Sequence, residues 1–522
     1  MARFLLLSEC GDGLGLALRL TAEGHEVKLW LRDKKELGLG RGLVDEARRY
    51  ERTVVSDCTG FGVFMDALRE SEFLTFAGSE FADKLEEDRA FSDVIMTEAG
   101  IVTPDSVRAN SPEEAEEFIE AYERVVLKPE GGLSGVRPSE VALDQEDARE
   151  ILDSLKKEYS DGAMQVELQQ FLPGIAISTE GWFNGRDWIP GMFNHTLERK
   201  QRLSGDLGDS TGCMGNLVWG CGEDVLVRET LLKLTEVLRK HLYVGPIDVN
   251  CIVNEDGIYG LEFTPRFGYD AMPTLLYSLC EFNFGDFIES CARGEGVDDY
   301  RLREGFGSGI RITVPEGKEA SVKLRGLDLE DLDRFYPFCV AFEDGQIVST
   351  GESGCLGVIN GWGETPDEAF ADAYQVVERV KVKKLQYRND LLETFTKEYN
   401  QLETLMQGKP LDYIPDWVAF DLDGTLAKYT KWSEEVGEPI PEMIKVFKKH
   451  IKDGDSVRLL TARGSVQPGK YEQLLKIHEW IRNHGGASVQ VTDRKDPGMI
   501  VLYDDRVIPV KDGEILTEEA VS

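Results

Sequence analysis

The sequence predicts an α/β and α+β multidomain protein, and three observations carry that expectation. The first 31 residues read as strand, glycine turn, helix and strand. A hairpin in the middle of the chain sets polar residues at its strand ends, and a polar break before residue 417 precedes an apolar strand that runs into two aspartates. With 522 residues, the chain has material for about three or four structural units. A hydrophobic content of 41%, with 24 Phe, 16 Tyr and 8 Trp, supplies their cores.

Phe4 to Leu7 is a short apolar strand, followed by Gly11, Gly13 and Gly15, a helix from Leu16 to Ala22 and a second strand from Val27 to Leu31. GxGxxG is not met, because position 16 is Leu, so a tight strand-to-helix turn is favoured over a dinucleotide site, although Asp33 lies where an acidic ribose ligand would follow. Ser111 to Tyr122 reads as a helix with an acidic first turn, and Val125 to Leu127 as a β-branched strand. Ala163 to Phe171 and Ala176 to Trp182 are further strands, and Asp224 to His241 reads as one long amphipathic helix. The hairpin pairs Pro246 to Val253 with Gly257 to Phe263 around the Asn254-Glu255-Asp256-Gly257 turn. Gly307 to Gly363 is rich in Gly and β-branched residues, with an Asp-Gly turn at Asp344-Gly345, and helical periodicity runs from Pro366 to Met406. The polar stretch Gly408 to Asp416 ends that pattern. The expected units are 1–105, 106–300 with a smaller lobe at 106–175, 301–407, and 413–522.

Lys plus Arg number 59 and Asp plus Glu 96, a net charge of −37 that disfavours tight duplex nucleic-acid binding and leaves small phosphorylated molecules, nucleotides and strand ends as ligands. The nine cysteines are odd in number and have no CxxC spacing, which fits reduced, buried thiols in the cytoplasm. The apolar run at the start is too short for a signal peptide or a membrane helix, so no membrane association is expected. Composition leaves monomer and homodimer both open.

Lys128-Pro129 follows a strand directly and runs into Glu130-Gly131-Gly132-Leu133-Ser134-Gly135. A strand-end Lys neutralises nucleotide phosphates, and Gly131, Gly132 and Gly135 let backbone N–H groups approach their oxygens; an exposed Lys beside a flexible loop fits the same residues. Asp248 and Glu262 occupy the two strands of the hairpin, where one sheet face can bring them side by side. Two close carboxylates call for a cation, and either Mg²⁺ with nucleotide phosphates or a salt bridge to Arg266 answers that need.

Four stretches spread over roughly residues 1 to 400 add a resemblance: Leu85-Glu86 with Asp88-Arg89, Ala99-Gly100-Ile101 and Thr103-Pro104; Lys200 with Gly205 to Gly215; Glu262-Phe263-Thr264-Pro265-Arg266-Phe267-Gly268; and Tyr387-Arg388-Asn389-Asp390. The chain resembles ATP-grasp enzymes, most of all the phosphoribosylamine–glycine ligases, and the stretches keep that family's order. The resemblance implies ATP and Mg²⁺ as cofactors, with Mn²⁺ as a substitute. It implies that Lys128 contacts the α/β-phosphates and that Gln169, Gln170, Phe171 and Leu172 form a strand edge for adenine. Lys200 would reach a phosphate or the reacting carboxylate, and the loop Gly205 to Gly215 would surround the amine substrate or acyl phosphate. Glu262 would hold the metal with Asp248 as auxiliary ligand, and Arg266 would orient the acyl phosphate. Thr264 stands where the family usually has Asn, Gly13-Leu14-Gly15-Leu16 replaces Gly-Arg-Glu-His, Ser134-Gly135-Val136 lacks a Lys, and Gly174-Ile175 replaces Gly-Glu.

Past the break, Phe420-Asp421-Leu422-Asp423-Gly424-Thr425 follows a strand, a second strand ends at Leu459-Leu460-Thr461-Ala462-Arg463, and a third runs from Ile500 to Tyr503 into Asp504-Asp505, with Lys495 before it. Two aspartates at i and i+2 past a strand end can act as nucleophile toward phosphorus and as proton-transfer group. From Trp417 to Val510 the chain resembles haloacid dehalogenase-like phosphatases, a Rossmann-like fold, here capless. The resemblance makes Asp421 the nucleophile, Asp423 the general acid/base, Thr461 and Lys495 the phosphate ligands, and Asp421 with Asp504 the Mg²⁺ ligands. All lie after the break, so the unit is expected to work with residues before about 410 removed.

The function implied is an amide-forming ligase taking small-molecule amine and amino-acid substrates, joined to a phosphatase. A ligase dedicated to modified nucleotides or DNA bases, and a non-catalytic ATP-sensing scaffold, are the alternatives at this point.

Overall fold

Four consecutive apolar residues, Phe4 to Leu7, make a strand buried on both faces, which is what a parallel sheet between helices demands. In the computed structural model, which describes all residues except 10, 33–51, 131–138, 159–164, 269–270, 296–298, 316–321, 328–330, 344–345, 351–353, 410–415, 430, 434, 466–468, 507–509, 512–513 and 516–522, that strand is the second of a parallel sheet. Strands β1 (Arg3–Ser8), β2 (Glu26–Leu31), β3 (Thr53–Ser56) and β4 (Thr75–Phe76) run in the order β2-β1-β3-β4. A second sheet of β5 (Ser106–Ala109), β6 (Val125–Pro129), β7 (Glu140–Val141) and β8 (Val166–Gln170) is antiparallel, in the order β5-β8-β6-β7. Helices Pro112–Ala121 and Gln145–Glu158 seal it, the first started by Ser111, whose hydroxyl accepts the Glu114 N–H at 3.3 Å.

The central element is an eight-stranded antiparallel sheet, order β13-β12-β9-β10-β11-β14-β19-β16. Its strands are β9 (Ile175–Asn184), β10 (Phe193–Leu203), β11 (Leu207–Cys221), β12 (Val244–Asn254), β13 (Gly257–Thr264), β14 (Phe306–Thr313), β16 (Phe335–Pro337) and β19 (Cys355–Gly363). Strands on both sides of residue 300 thus share one sheet, and β15 (Lys323–Leu324), β17 (Val340–Glu343) and β18 (Gln346–Ser349) form a small one beside it. The Asp344-Gly345 turn lies outside the described residues.

Three sequence expectations need correcting. Asp224 to His241 is a helix Val225–Glu229, a 3₁₀ turn Leu231–Leu234 and a helix Thr235–Lys240, broken at Thr230, whose backbone leaves the helical region while its hydroxyl donates to the Leu226 carbonyl. Pro366 to Met406 is two helices, Pro366–Val377 and Leu391–Met406, joined by an irregular segment. Leu207 to Gly215 is part of strand β11, so only the hairpin tip near Gly205 is a loop.

After the break, β20 (Trp417–Phe420), β21 (Val457–Leu460), β22 (Gln490–Thr492) and β23 (Met499–Tyr503) form a parallel sheet in the order β22-β21-β20-β23. This unit is not free of the rest. Its helix Lys470–Gly485 packs on helix Pro366–Val377, with His478 Nε2 and Asp367 Oδ2 3.0 Å apart, both side chains buried, and Asp367 also accepts the Val491 N–H at 3.1 Å. Removing residues before 410 would strip the partner of His478 and uncover the helix face packed on Pro366–Val377, so the polar break does not separate two independent bodies. Burial pulls His478 down, but Asp367 outweighs it and holds the imidazole above its usual value; burial pushes Asp367 up, but His478 outweighs it and holds the carboxyl below. All eight described cysteines are free, and among the described residues no helix is long and apolar enough to cross a membrane.

Candidate active site

Strand alternation builds a polar face on the central sheet. Asp248 and Asn250 on β12 lie opposite Thr264 and Glu262 on β13, and on the other side opposite Glu180 and Ser178 on β9. Asp248 and Glu262 are therefore diagonal neighbours on one face and not a directly opposed pair, which corrects the side-by-side reading. Strand β10 continues the face, with Asn194 opposite Glu180 and with Glu198 and Lys200 farther along. Asn250 donates to Asp248 Oδ1 at 3.1 Å and to Thr264 Oγ1 at 3.2 Å, and itself accepts from Ser178 at 2.6 Å.

The face is strongly acidic. Burial pushes the Asp248 carboxyl well above the usual range, and Glu180 and Glu198 add to it. Burial pushes Glu180 up to about 8, with the nearby Trp182 indole opposing it and Glu198 adding to it. Burial pulls Lys200 down, yet Glu262, Glu198 and Asp248 outweigh it and hold its ammonium above the ordinary value. The raised Asp248 and Glu180 carboxyls, to both of which Glu198 adds, on a face whose other ligand atoms are neutral oxygens, fit a hard divalent cation such as Mg²⁺. Glu180 and Glu198 were missed from the sequence, although an acid inside the apolar run Ile175 to Phe183, and an acid two residues before Lys200, were signals of a polar sheet face.

Arg266 is placed at the edge of this face, but its ion pair goes to Glu86 of helix Glu80–Glu87, with both carboxylate oxygens within 2.7 to 3.1 Å. The alternative that the spacing left open, a salt bridge from Arg266 to Asp248 or Glu262, is not formed among the described residues. Lys128, on β6, faces Glu167 of β8 at 3.6 Å; burial pushes Glu167 up, and Lys128 opposes it. Gln169 and Gln170 lie in an internal strand, with Gln169 registered against both β5 and β6, so they present no free strand edge; the free backbone starts beyond Phe171, whose N–H donates to the Arg124 carbonyl at 3.2 Å, at Leu172. Gly131, Gly132 and Gly135 lie outside the described residues.

The β10–β11 hairpin is clamped at its tip. Arg388 is fully buried and donates to Asp206 at 2.7 Å and to both oxygens of Asp390 at 2.9 and 2.6 Å, while Asp390 accepts the Gly205 N–H at 2.8 Å. The Tyr387-Arg388-Asn389-Asp390 stretch thereby holds the strand that carries Lys200.

In the C-terminal unit, carboxylate oxygens of Asp421, Asp504 and Asp505 lie within 4.8 Å of one another at the carboxyl ends of β20 and β23. Burial pushes Asp421 up to about 7, and Asp504, Asp423 and Asp505 add to it. That too fits a divalent cation. Gly424, at φ +100°, sits where a Cβ would lie 2.3 Å from the Asp505 carboxylate, so only glycine lets that carboxylate close on the loop. Asp423 is held by buried Arg463, with distances of 2.6 and 2.9 Å to its two oxygens, a partner that sequence reasoning did not assign. An acid/base role for Asp423 requires that this pair open. Thr461 is buried at the end of β21, its hydroxyl accepting the Arg463 N–H at 3.3 Å. Lys495 is exposed after β22 and is not among the groups that act most on Asp421.

Residues 87–271 match the family model described as phosphoribosylglycinamide synthetase, ATP-grasp (A) domain. The chain is 23% identical over 343 residues to a phosphoribosylamine–glycine ligase of Clostridium acetobutylicum, covering 63% of this chain and 80% of that protein. It is 26% identical over 368 residues to one of Listeria monocytogenes, covering 67% and 86%. Among solved structures, the phosphoribosylamine–glycine ligase of Thermotoga maritima superposes with a TM-score of 0.57 at 22% identity, over 74% of this chain and all (100%) of that one. A biotin carboxylase of Campylobacter jejuni gives 0.52 at 13%, over 78% and 98%. The chain has an ATP-grasp fold that resembles the phosphoribosylamine–glycine ligases.

Proposed function

We propose that this chain is an ATP-dependent, ADP-forming carboxylate–amine ligase, joining glycine or another amino acid to a phosphoribosylamine-like or nucleotide-linked amine. The observation that carries the reading is the convergence of Asp248, Glu262 and Lys200 on one acidic sheet face. A carboxylate oxygen attacks the γ-phosphorus of ATP, the bond to the β-phosphate oxygen breaks, and ADP leaves an acyl phosphate. The amine then attacks the acyl carbon, gives up a proton and expels phosphate. Glu262 and Asp248 would hold Mg²⁺, which neutralises phosphate charge when bound. Lys200 places a cation, kept charged by its acidic neighbours, where the transferring group gains negative charge. Lys128 supplies the cation of the nucleotide-covering sheet, and Arg266, braced by Glu86, presents a fixed guanidinium beside the ligand face.

The test is ADP formation with ATP, Mg²⁺ and a panel of amines and amino acids, in the wild type and in Glu262→Gln. The variant should fold and lose at least about 100-fold in turnover, the scale of removing one preorganised charge contact. Near-normal Mg²⁺-dependent ADP release by Glu262→Gln would refute the site, and ATP binding without turnover across the panel would favour a sensor.

The Asp421, Asp504 and Asp505 cluster favours a second activity, a Mg²⁺-dependent phosphatase of the haloacid dehalogenase type with Asp421 as nucleophile. Full-length Asp421→Asn should lose hydrolysis of aryl phosphate and of nucleoside monophosphates, because an amide forms no aspartyl phosphate. Hydrolysis unchanged in that variant would remove the assignment.

A further inference from the structure

Between the helix Leu391–Met406 and the C-terminal unit lies a cavity of about 510 Å³, within the size range of small-molecule sites. None of the candidate catalytic residues of either site lines it. Its walls come from both sides of the polar break: Thr396, Lys397 and Asn400 from the helix, and Lys470, Leu474 and Gln490 from the unit beyond.

The helix treats its threonines unequally. Thr394 and Thr404 each donate their hydroxyl to the carbonyl four residues back, at 2.6 and 2.8 Å. Thr396 is 5% exposed and lines the cavity, yet its hydroxyl has no hydrogen-bond partner among the described residues. A buried hydroxyl left unpaired costs about 1–3 kcal/mol, so this one is set for a group that occupies the cavity. Asn400 Nδ2 donates to Gln490 Oε1 at 3.3 Å, which leaves the Asn400 side-chain oxygen and the Gln490 amino group together where the two walls meet, as an acceptor and a donor. That pairing matches the edge of a heterocyclic base, and Leu392, Leu474 and Val491 offer apolar surface for its faces. Lys397 makes no ion pair among the described residues, and Lys470, 3.7 Å from Glu393, lines the same cavity from the unit beyond the break. Together they supply cationic groups for one phosphate.

We infer that this cavity between the two units is a binding site for a nucleoside monophosphate, its base read by Asn400, Gln490 and the Thr396 hydroxyl and its phosphate met by Lys397 and Lys470. The site stands independently of the ligase and phosphatase readings. Isothermal titration of the full chain with adenosine 5′-monophosphate, thymidine 5′-monophosphate and ribose 5-phosphate tests it. Saturating Mg²⁺ and a non-hydrolysable ATP analogue would fill the nucleotide site, and Asp421→Asn would prevent hydrolysis. A nucleoside monophosphate should bind with one-to-one stoichiometry and a Kd below roughly 100 μM, and ribose 5-phosphate at least about tenfold more weakly. The near-isosteric Thr396→Val should weaken nucleotide binding about fivefold or more, and Leu474→Trp, which fills the cavity, should abolish it. The inference is overturned if neither nucleotide binds, if ribose 5-phosphate binds as tightly, or if affinity is untouched by Thr396→Val.

Discussion

Asp57 shows how much a single side chain reveals that its sequence position does not. It follows β3, 7% exposed, with neither carboxylate oxygen completing a hydrogen bond of good geometry. Burial pushes it up to about 7; the nearby Ser8 hydroxyl and Cys58 thiol oppose that, Asp12 adds to it and Arg266 opposes it. The folded chain therefore holds a proton that an unfolded aspartate, with a pKa of about 3.9, releases. This contribution to stability is complete below the unfolded value and is lost as pH rises through about 7. Asp57→Asn should flatten that loss, so between pH 5 and pH 8 the melting temperature of the wild type should fall further than that of the variant. Equal falls would show that Asp57 does not titrate in this way. Nothing in Ser56-Asp57-Cys58 announces burial, because the enclosure comes from Gly13, Phe267 and Tyr336, distant in sequence. That Lys128, Glu262 and Asp421 stand at or near strand ends was, in contrast, legible, since short apolar runs mark where those strands finish.

At the scale of elements, strands were easier to read than the long helices. The β12–β13 hairpin follows from its Asn254 to Gly257 turn, with Asn254 Oδ1 accepting the Asp256 and Gly257 N–H groups at 3.0 and 3.1 Å. The break at Thr230 and the gap between the helices Pro366–Val377 and Leu391–Met406 were hidden, because apolar periodicity continues through both and tertiary packing decides where the backbone leaves the helix. The glycines of Gly205 to Gly215 suggested a loop, and pairing with β10 and β14 turned most of that segment into strand. The Arg388 clamp belongs to this scale. Arg388→Ala would take the guanidinium from the partly exposed Asp390 and Asp206 carboxylates and loosen the hairpin tip, at a cost of about 1–3 kcal/mol. Ligation should fall with it, while phosphatase turnover of folded protein should change less. Measured unfolding free energy and kcat/KM for both reactions check this, and a variant of wild-type stability and activity would show the clamp to be idle.

For the whole molecule, the break before β20 was legible as a change of sheet, and the packing across it was not. No local pattern pairs Asp367 with His478, 111 residues away. The polar stretch before β20 reads as a linker, yet the units on either side share a buried ion pair and enclose a common cavity. An ATP-grasp body and the Asp421, Asp504 and Asp505 cluster are thus held in one arrangement, and the chemistry proposed for the ATP-grasp body is transfer of the γ-phosphoryl group to a carboxylate. That chemistry is tested most directly by isotope transfer. With ATP, Mg²⁺, an accepted amine and glycine labelled with ¹⁸O in its carboxylate, or another accepted amino acid so labelled, the inorganic phosphate released should carry one ¹⁸O atom per amide formed. The oxygen of the attacking carboxylate stays on phosphorus when the acyl phosphate is opened by the amine. Amide formation that releases unlabelled phosphate, or that yields AMP and pyrophosphate in place of ADP, would contradict the account.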